Sequence, residues 1–118
     1  MGKNPALQPM FDWLNGVPIA DLAAELMAAF SSDPQGWEYA RTIMCKLFAA
    51  HGYPKPPLGL GRHDYWPIEE AMQLLEHSEM IFKMASEQEC WRATRLGLAT
   101  FAAGKDAVRQ RIKDRTGL

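Results

Sequence analysis

The chain has little of what marks secreted, membrane-spanning or uniformly charged proteins. It contains two cysteines among 118 residues, too few for a disulfide framework. Its apolar stretches fall short of the ~18 consecutive residues that a membrane-spanning helix needs. The N-terminal residues show no apolar stretch after their charge, so no secretory signal is recognised. We therefore expect a cytoplasmic protein that does not contact membranes.

Net charge is also nearly absent, because thirteen Lys and Arg residues stand against fourteen Asp and Glu residues. This balance excludes a surface that is uniformly basic or acidic. The charges are nevertheless unevenly distributed along the chain. Residues 67–91 carry one lysine and six glutamates, whereas residues 92–118 carry seven basic and two acidic residues. The sequence predicts an acidic segment followed by a basic one.

Apolar residues recur at helical spacing, and no segment shows the alternation of a strand over five or more residues. The pattern predicts one all-α domain over residues 1–118, built as a bundle of four principal helices. Their expected ranges are about 18–30, 34–51, 67–85 and 87–103. The clearest apolar stripe belongs to the first of them and comprises Ile19, Leu22, Ala23, Leu26, Met27 and Phe30.

Two terminal segments are expected to be peripheral. Residues 1–16 are interpreted as an N-terminal arm with a short turn around Phe11–Leu14. Residues 105–118 are interpreted as a basic helical tail, which has Val108 and Ile112 as its apolar pair and is closed by Gly117. Glycine just beyond a helix is typical of a C-terminal cap.

A long connector rich in proline, glycine and aromatic residues separates the second and third helices, at residues 53–67. Connections of about fifteen residues in a compact domain are usually functional or disordered. This one contains Tyr, Trp and Arg, the residue types that dominate protein–protein hot spots. The residues predicted to bind a protein partner are Tyr53, Lys55, Leu58, Leu60, Arg62, His63, Tyr65 and Trp66. The alternative interpretation is a strap packed across the bundle.

The basic tail gives a second hypothesis. Its side chains Lys105, Arg109, Arg111, Lys113 and Arg115 are positioned to follow a phosphate backbone. They would make the protein a regulator that associates with nucleic acid. The competing interpretation is a solvated helix end, where basic residues are favoured by the helix dipole.

A third hypothesis is a metal-dependent hydrolase. The order His51, His63-Asp64, Asp106 resembles the His…His-Asp…Asp order of the HD phosphohydrolases, which are all-α and bind metal. In that family the His-Asp pair lies on a helix among apolar residues. Here the pair stands between Gly61-Arg62 and Tyr65-Trp66-Pro67, in a segment predicted to be non-helical. We therefore predict neither a metal site nor a catalytic site, and no cofactor.

These observations favour a small non-enzymatic interaction protein. We expect an adaptor, or an inhibitor of a larger protein, of the kind that phages and mobile elements encode. A homodimer is a further expectation, since two-fold dimers are the commonest oligomers.

Overall fold

The structure, a computed structural model, describes residues 7–31, 37–53, 62–84 and 90–118, without the side chains of residues 31, 37, 38 and 62–64. The described residues form six helices and three short strands. In chain order these are α1 (Gln8–Gly16), α2 (Ile19–Ser31), β1 (Trp37–Tyr39), α3 (Ala40–Ala50), α4 (Arg62–His77), β2 (Ile81–Lys83), β3 (Cys90–Ala93), α5 (Arg95–Ala102) and α6 (Lys105–Thr116). The protein is therefore mostly helical, as predicted.

Helix α2 lies at the centre of the core, where it contacts α3, α4, α5 and α6. The predicted stripe is confirmed, because five of its residues are fully inaccessible to solvent: Leu22, Ala23, Leu26, Met27 and Phe30. Ile19 is partly buried against the same core. The helix begins after Pro18, whose carbonyl accepts hydrogen bonds from the amides of Asp21 and Leu22. No described helix is long and apolar enough to cross a membrane.

The strands correct the all-α expectation. They form an antiparallel sheet in the order β1-β3-β2, in which Arg92 stands opposite both Trp37 and Phe82. Each strand has only three or four residues, so none is long enough to show a five-residue alternation. The sheet also depends on pairing between residues far apart in the chain, which local periodicity does not report.

Three predicted helix boundaries are wrong for this reason. The expected helix 34–51 is helical only over Ala40–Ala50, because β1 precedes it. The expected helix 67–85 ends at His77, where Glu79 adopts a left-handed conformation with φ 63° and stops the helix. The expected helix 87–103 begins at Arg95, because β3 pairs with both other strands and Thr94 caps α5 through its hydroxyl.

The described residues of both terminal segments contribute side chains to the core. Residues 8–16 form α1, which buries Met10, Phe11 and Leu14 in the core, and the rings of Phe11 and Phe48 meet edge to face at 6.4 Å. In α6, Val108 and Ile112 are fully buried. Gly117, at φ 82°, ends α6 as predicted. Sequence reasoning gave these segments little weight because their buried residues are few, three in α1 and two in α6.

Candidate partner-binding face at the kink of helix α4

The predicted partner-binding residues have different positions in the structure. Tyr53 and Tyr65 are partly buried against the core, and the ring of Tyr53 meets that of Phe48 at 6.4 Å. Trp66 is instead 50% exposed. Lys55, Leu58 and Leu60 lie outside the described residues, as do the side chains of Arg62 and His63. Two of the predicted aromatic residues thus serve packing, and Trp66 presents its ring to solvent.

Trp66 owes its exposure to a kink in α4. The helix starts at Arg62, earlier than the predicted residue 67, but Tyr65 is non-helical with φ −125° and ψ 16°. Pro67 follows two residues later, and a proline ring has no amide hydrogen and crowds the preceding turn, so a helix does not run straight through it. Tyr65 turns toward the core at this kink, while Trp66 faces outward.

A cleft of about 220 Å³ lies beside this kink, between α4 and the sheet. One wall is formed by Glu69, Met72, Gln73 and Glu76 of α4, and the other by Lys83 and Trp91 of the sheet together with Ala40. Trp66 stands one turn before Glu69 on the same face of α4, since residues three and four apart are neighbours on a helix. The volume is below the ~300–1,000 Å³ of small-molecule pockets and suits a protruding side chain.

Trp91, which lines this cleft, has an unusual buried polar atom. The residue is only 7% exposed, and its indole Nε1 is buried without a hydrogen-bond partner among the described residues. Leaving a buried donor unpaired costs about 1–3 kcal/mol, and folded proteins rarely do so. Sequence reasoning missed Trp91 and Lys83 as cleft residues, because it placed both inside helices. Their positions in paired strands bring them opposite α4.

A larger groove of about 360 Å³ lies between α2 and α3, with Lys105 at one end. Alanine and leucine side chains form much of its lining. The ammonium of Lys46, at its edge, donates to the carbonyl of Ala29 at 3.1 Å. Two of its charged lining residues are engaged within the chain, Lys46 with this carbonyl and Glu25 with His51, so few polar groups are left to converge on a ligand.

The predicted nucleic-acid-binding residues are largely engaged within the chain. Arg109 pairs with Asp106 and lies 3.6 Å from Asp21. Arg111 and Arg115 both pair with Glu79, which belongs to the acidic segment. Lys105 and Lys113 are exposed. The basic segment therefore folds back on acidic residues rather than projecting from the molecule.

The residues of the proposed metal pattern are not brought together in the described part of the chain. His51 Nε2 lies 2.8 Å from Glu25 Oε2, and its ring is tilted by 42° to that of Trp13, with centroids 4.2 Å apart. Asp106 pairs with Arg109. The backbone of His63 and Asp64 is helical, contrary to the sequence prediction, but their side chains are outside the description. Among described residues, no group of three or more His, Cys, Asp or Glu side chains is placed to hold a metal.

Comparisons of the chain with protein-family models, with curated proteins and with solved structures return no match. The site must therefore be interpreted from its own geometry and chemistry.

Proposed function

We propose that the protein is a small non-enzymatic interaction module, an adaptor or inhibitor that binds a larger protein through the kink of α4 and the adjoining cleft. The observation that carries this proposal is the half-exposed Trp66 beside a cleft sized for one side chain. Tryptophan is among the residues most enriched at the energetic centres of protein interfaces.

The energetic argument rests on the area that Trp66 still exposes. A tryptophan buries about 150–250 Å² when fully covered, and apolar area contributes about 25 cal/mol per Å². Covering the exposed half of Trp66 would then contribute on the order of 2–3 kcal/mol. A contribution of this size corresponds to a loss of about 30- to 150-fold in affinity when the ring is removed.

The charge of the cleft indicates the chemistry of the partner. The cleft is lined by Glu69 and Glu76 and also by Lys83, so its two carboxylates outnumber its one cation. A partner that inserts a basic side chain beside an apolar contact to Trp66 would match both features. Complementary charges at the rim chiefly accelerate association, so the association rate should fall as salt rises.

Affinity capture with four forms of the protein, the wild type and three variants, tests the proposal. We expect wild type and Leu118→Ala to capture the same protein partner, because Leu118 is 63% exposed and lies on the C-terminal segment rather than on α4. Trp66→Ala should lose that partner while its circular dichroism and unfolding midpoint stay unchanged. Trp66→Phe should restore part of the binding. Capture of the same partner by Trp66→Ala would refute this role for the kink.

The alternative, a nucleic-acid-associated regulator using residues 105–118, has less support. Its three arginines are paired with Asp21, Asp106 and Glu79, so contacts to phosphate would have to break those pairs. A mobility-shift assay at two salt concentrations separates the two proposals, because genuine phosphate contacts weaken steeply with salt.

A further inference from the structure

Helix α5 presents apolar side chains to solvent. All eight of its residues are described, and Gly97 is the one that is buried. On the two flanks of the helix, Leu96 and Leu98 are 40% and 41% exposed. Opposite Gly97, Ala99 and Ala102 are also exposed. A surface helix normally buries its large apolar residues and exposes polar ones. In α5 the ring of Phe101 is partly buried against the core, but both leucines are exposed.

The exposure of the two leucines follows from the way α5 packs. Its backbone at Gly97 lies so close to Met80 that a Cβ atom there would stand 2.1 Å from the Met80 carbonyl oxygen. The side chain of Thr94 fixes this position, because its hydroxyl accepts from the Gly97 amide at 2.8 Å and donates to the Glu79 carbonyl at 2.6 Å. With its glycine held inward, α5 necessarily turns its leucines toward the flanks and its alanines outward.

The exposed face of α5 has a shape on which a second helix can pack. At 3.6 residues per turn, Arg95, Ala99 and Ala102 lie opposite Gly97, and Leu96 and Leu98 border them on the two sides. The small residues at the centre allow close approach of a second backbone. The leucines at the borders then pack beside it.

The charge on this face indicates which helix fits. Arg95 is the first residue of α5, and no acidic residue lies in that described first turn. A cation at the N-terminal end of a helix is unfavourable, because that end carries the positive pole of the helix dipole. If a second α5 packs antiparallel, Arg95 of each copy lies at the C-terminal, negative end of the other. The arrangement is self-complementary, as a two-fold interface requires.

We propose that α5 forms the two-fold interface of a homodimer in which the α5 helices of two copies pack antiparallel, with Ala99 nearest the axis. An eight-residue helix is about 12 Å long, so the buried area falls at the low end of specific interfaces. We expect a weak dimer, with a dissociation constant in the micromolar range, because an interface this small seldom binds more tightly. This interface uses a surface other than the Trp66 kink and stands independently of the partner proposed there.

Sedimentation equilibrium from about 1 to 300 µM, a range that brackets the expected dissociation constant, tests the dimer. Wild type should pass from monomer to dimer as concentration rises, whereas Ala99→Glu should remain monomeric with unchanged circular dichroism. Ala49→Glu makes the same substitution at an exposed position of α3 and should dimerise as wild type does. A wild type that stays monomeric throughout, or an Ala99→Glu variant that dimerises equally well, would overturn the proposal.

Disulfide trapping tests the antiparallel arrangement. In a Cys45→Ser background, which removes the less buried of the two free cysteines, Ala99→Cys should oxidise to a covalent dimer. Cysteines cross-link only where their Cα atoms come within about 7 Å. Arg95→Cys should therefore not link to itself but should link to Ala102→Cys when the two variants are mixed. Self-linking of Arg95→Cys, without the mixed product, would contradict the antiparallel pairing.

Discussion

Helices α5 and α6 follow each other in the chain, separated by Ala103 and by Gly104 at φ 108°, yet they meet solvent in opposite ways. Helix α6 buries Val108 and Ile112 completely and exposes charged side chains. Helix α5 buries a glycine and exposes two leucines. The described residues of the chain thus cover the apolar side chains of α6 but leave two leucines of α5 exposed.

The ion pairs of α6 show how other parts of the chain neutralise its charged side chains. Arg109 lies near Asp21 of α2, and Arg111 and Arg115 reach Glu79, just beyond α4. The charge asymmetry between residues 67–91 and 92–118 is thus partly neutralised inside the fold. Among the described residues of the C-terminal segment, the surface left without a packing partner is the apolar face of α5 rather than the basic face of α6.

The largest effect in this comparison is expected from Gly97→Ala. The new Cβ would meet the Met80 carbonyl oxygen at 2.1 Å, a backbone contact that no side-chain rotation relieves. We expect a loss of about 4 kcal/mol or more in the free energy of unfolding, even though alanine favours helix by about 1 kcal/mol over glycine. Urea denaturation measures this loss of unfolding free energy.

Gly16→Ala is the matched control for that measurement. Gly16 ends α1, and nothing lies within 4 Å of a Cβ added there. The same substitution should therefore leave stability unchanged or raise it by about 0.5 kcal/mol. Equal effects of the two substitutions would show that α5 does not depend on the close contact with Met80.

The next effect contrasts the two helices directly. Ile112→Ala removes a fully buried side chain of α6 and should cost about 3 kcal/mol, from lost burial and the cavity left behind. Leu98→Ala removes a larger exposed area on α5 and should change monomer stability by less than about 0.5 kcal/mol. Both are measured by denaturation at a concentration too low for dimers. A costly Leu98→Ala would mean that the α5 surface is already covered within the chain.

The helices that carry the core could be predicted from sequence because their information is local. The stripe of α2, the end of α6 at Gly117 and the helical stretch from Pro67 to His77 match the prediction. Each depends on apolar spacing within one segment or on a proline or glycine at its end. Such signals survive in any tertiary context that offers a core.

The sheet and the cleft could not be predicted in the same way. Ile81 and Phe82 fit the apolar stripe of the preceding helix, yet Glu79 stops that helix in a conformation usually left to glycine. What decides the strand is pairing with Cys90–Ala93, which itself pairs with Trp37–Tyr39. The positions of Lys83 and Trp91 in the cleft follow from this non-local pairing. Trp66 was singled out by its residue type in a proline-rich connector, which is a local feature, and its part in binding stays a prediction.

The smallest effect concerns Glu79, the acidic residue that completes α6. Glu79→Gln keeps the side-chain shape and the left-handed backbone but removes the charge that meets Arg111 and Arg115. Because these pairs are largely exposed, we expect a loss below about 1 kcal/mol at low salt, and a smaller one in 1 M salt, where surface charges are screened. Glu70→Gln, on the exposed side of α4, removes one charge of the same sign and serves as the control. Denaturation curves at both salt concentrations distinguish the cases. If Glu79→Gln lost no more stability than Glu70→Gln at low salt, the arginines of α6 would not depend on Glu79, and the contrast with α5 would rest on Val108 and Ile112 alone.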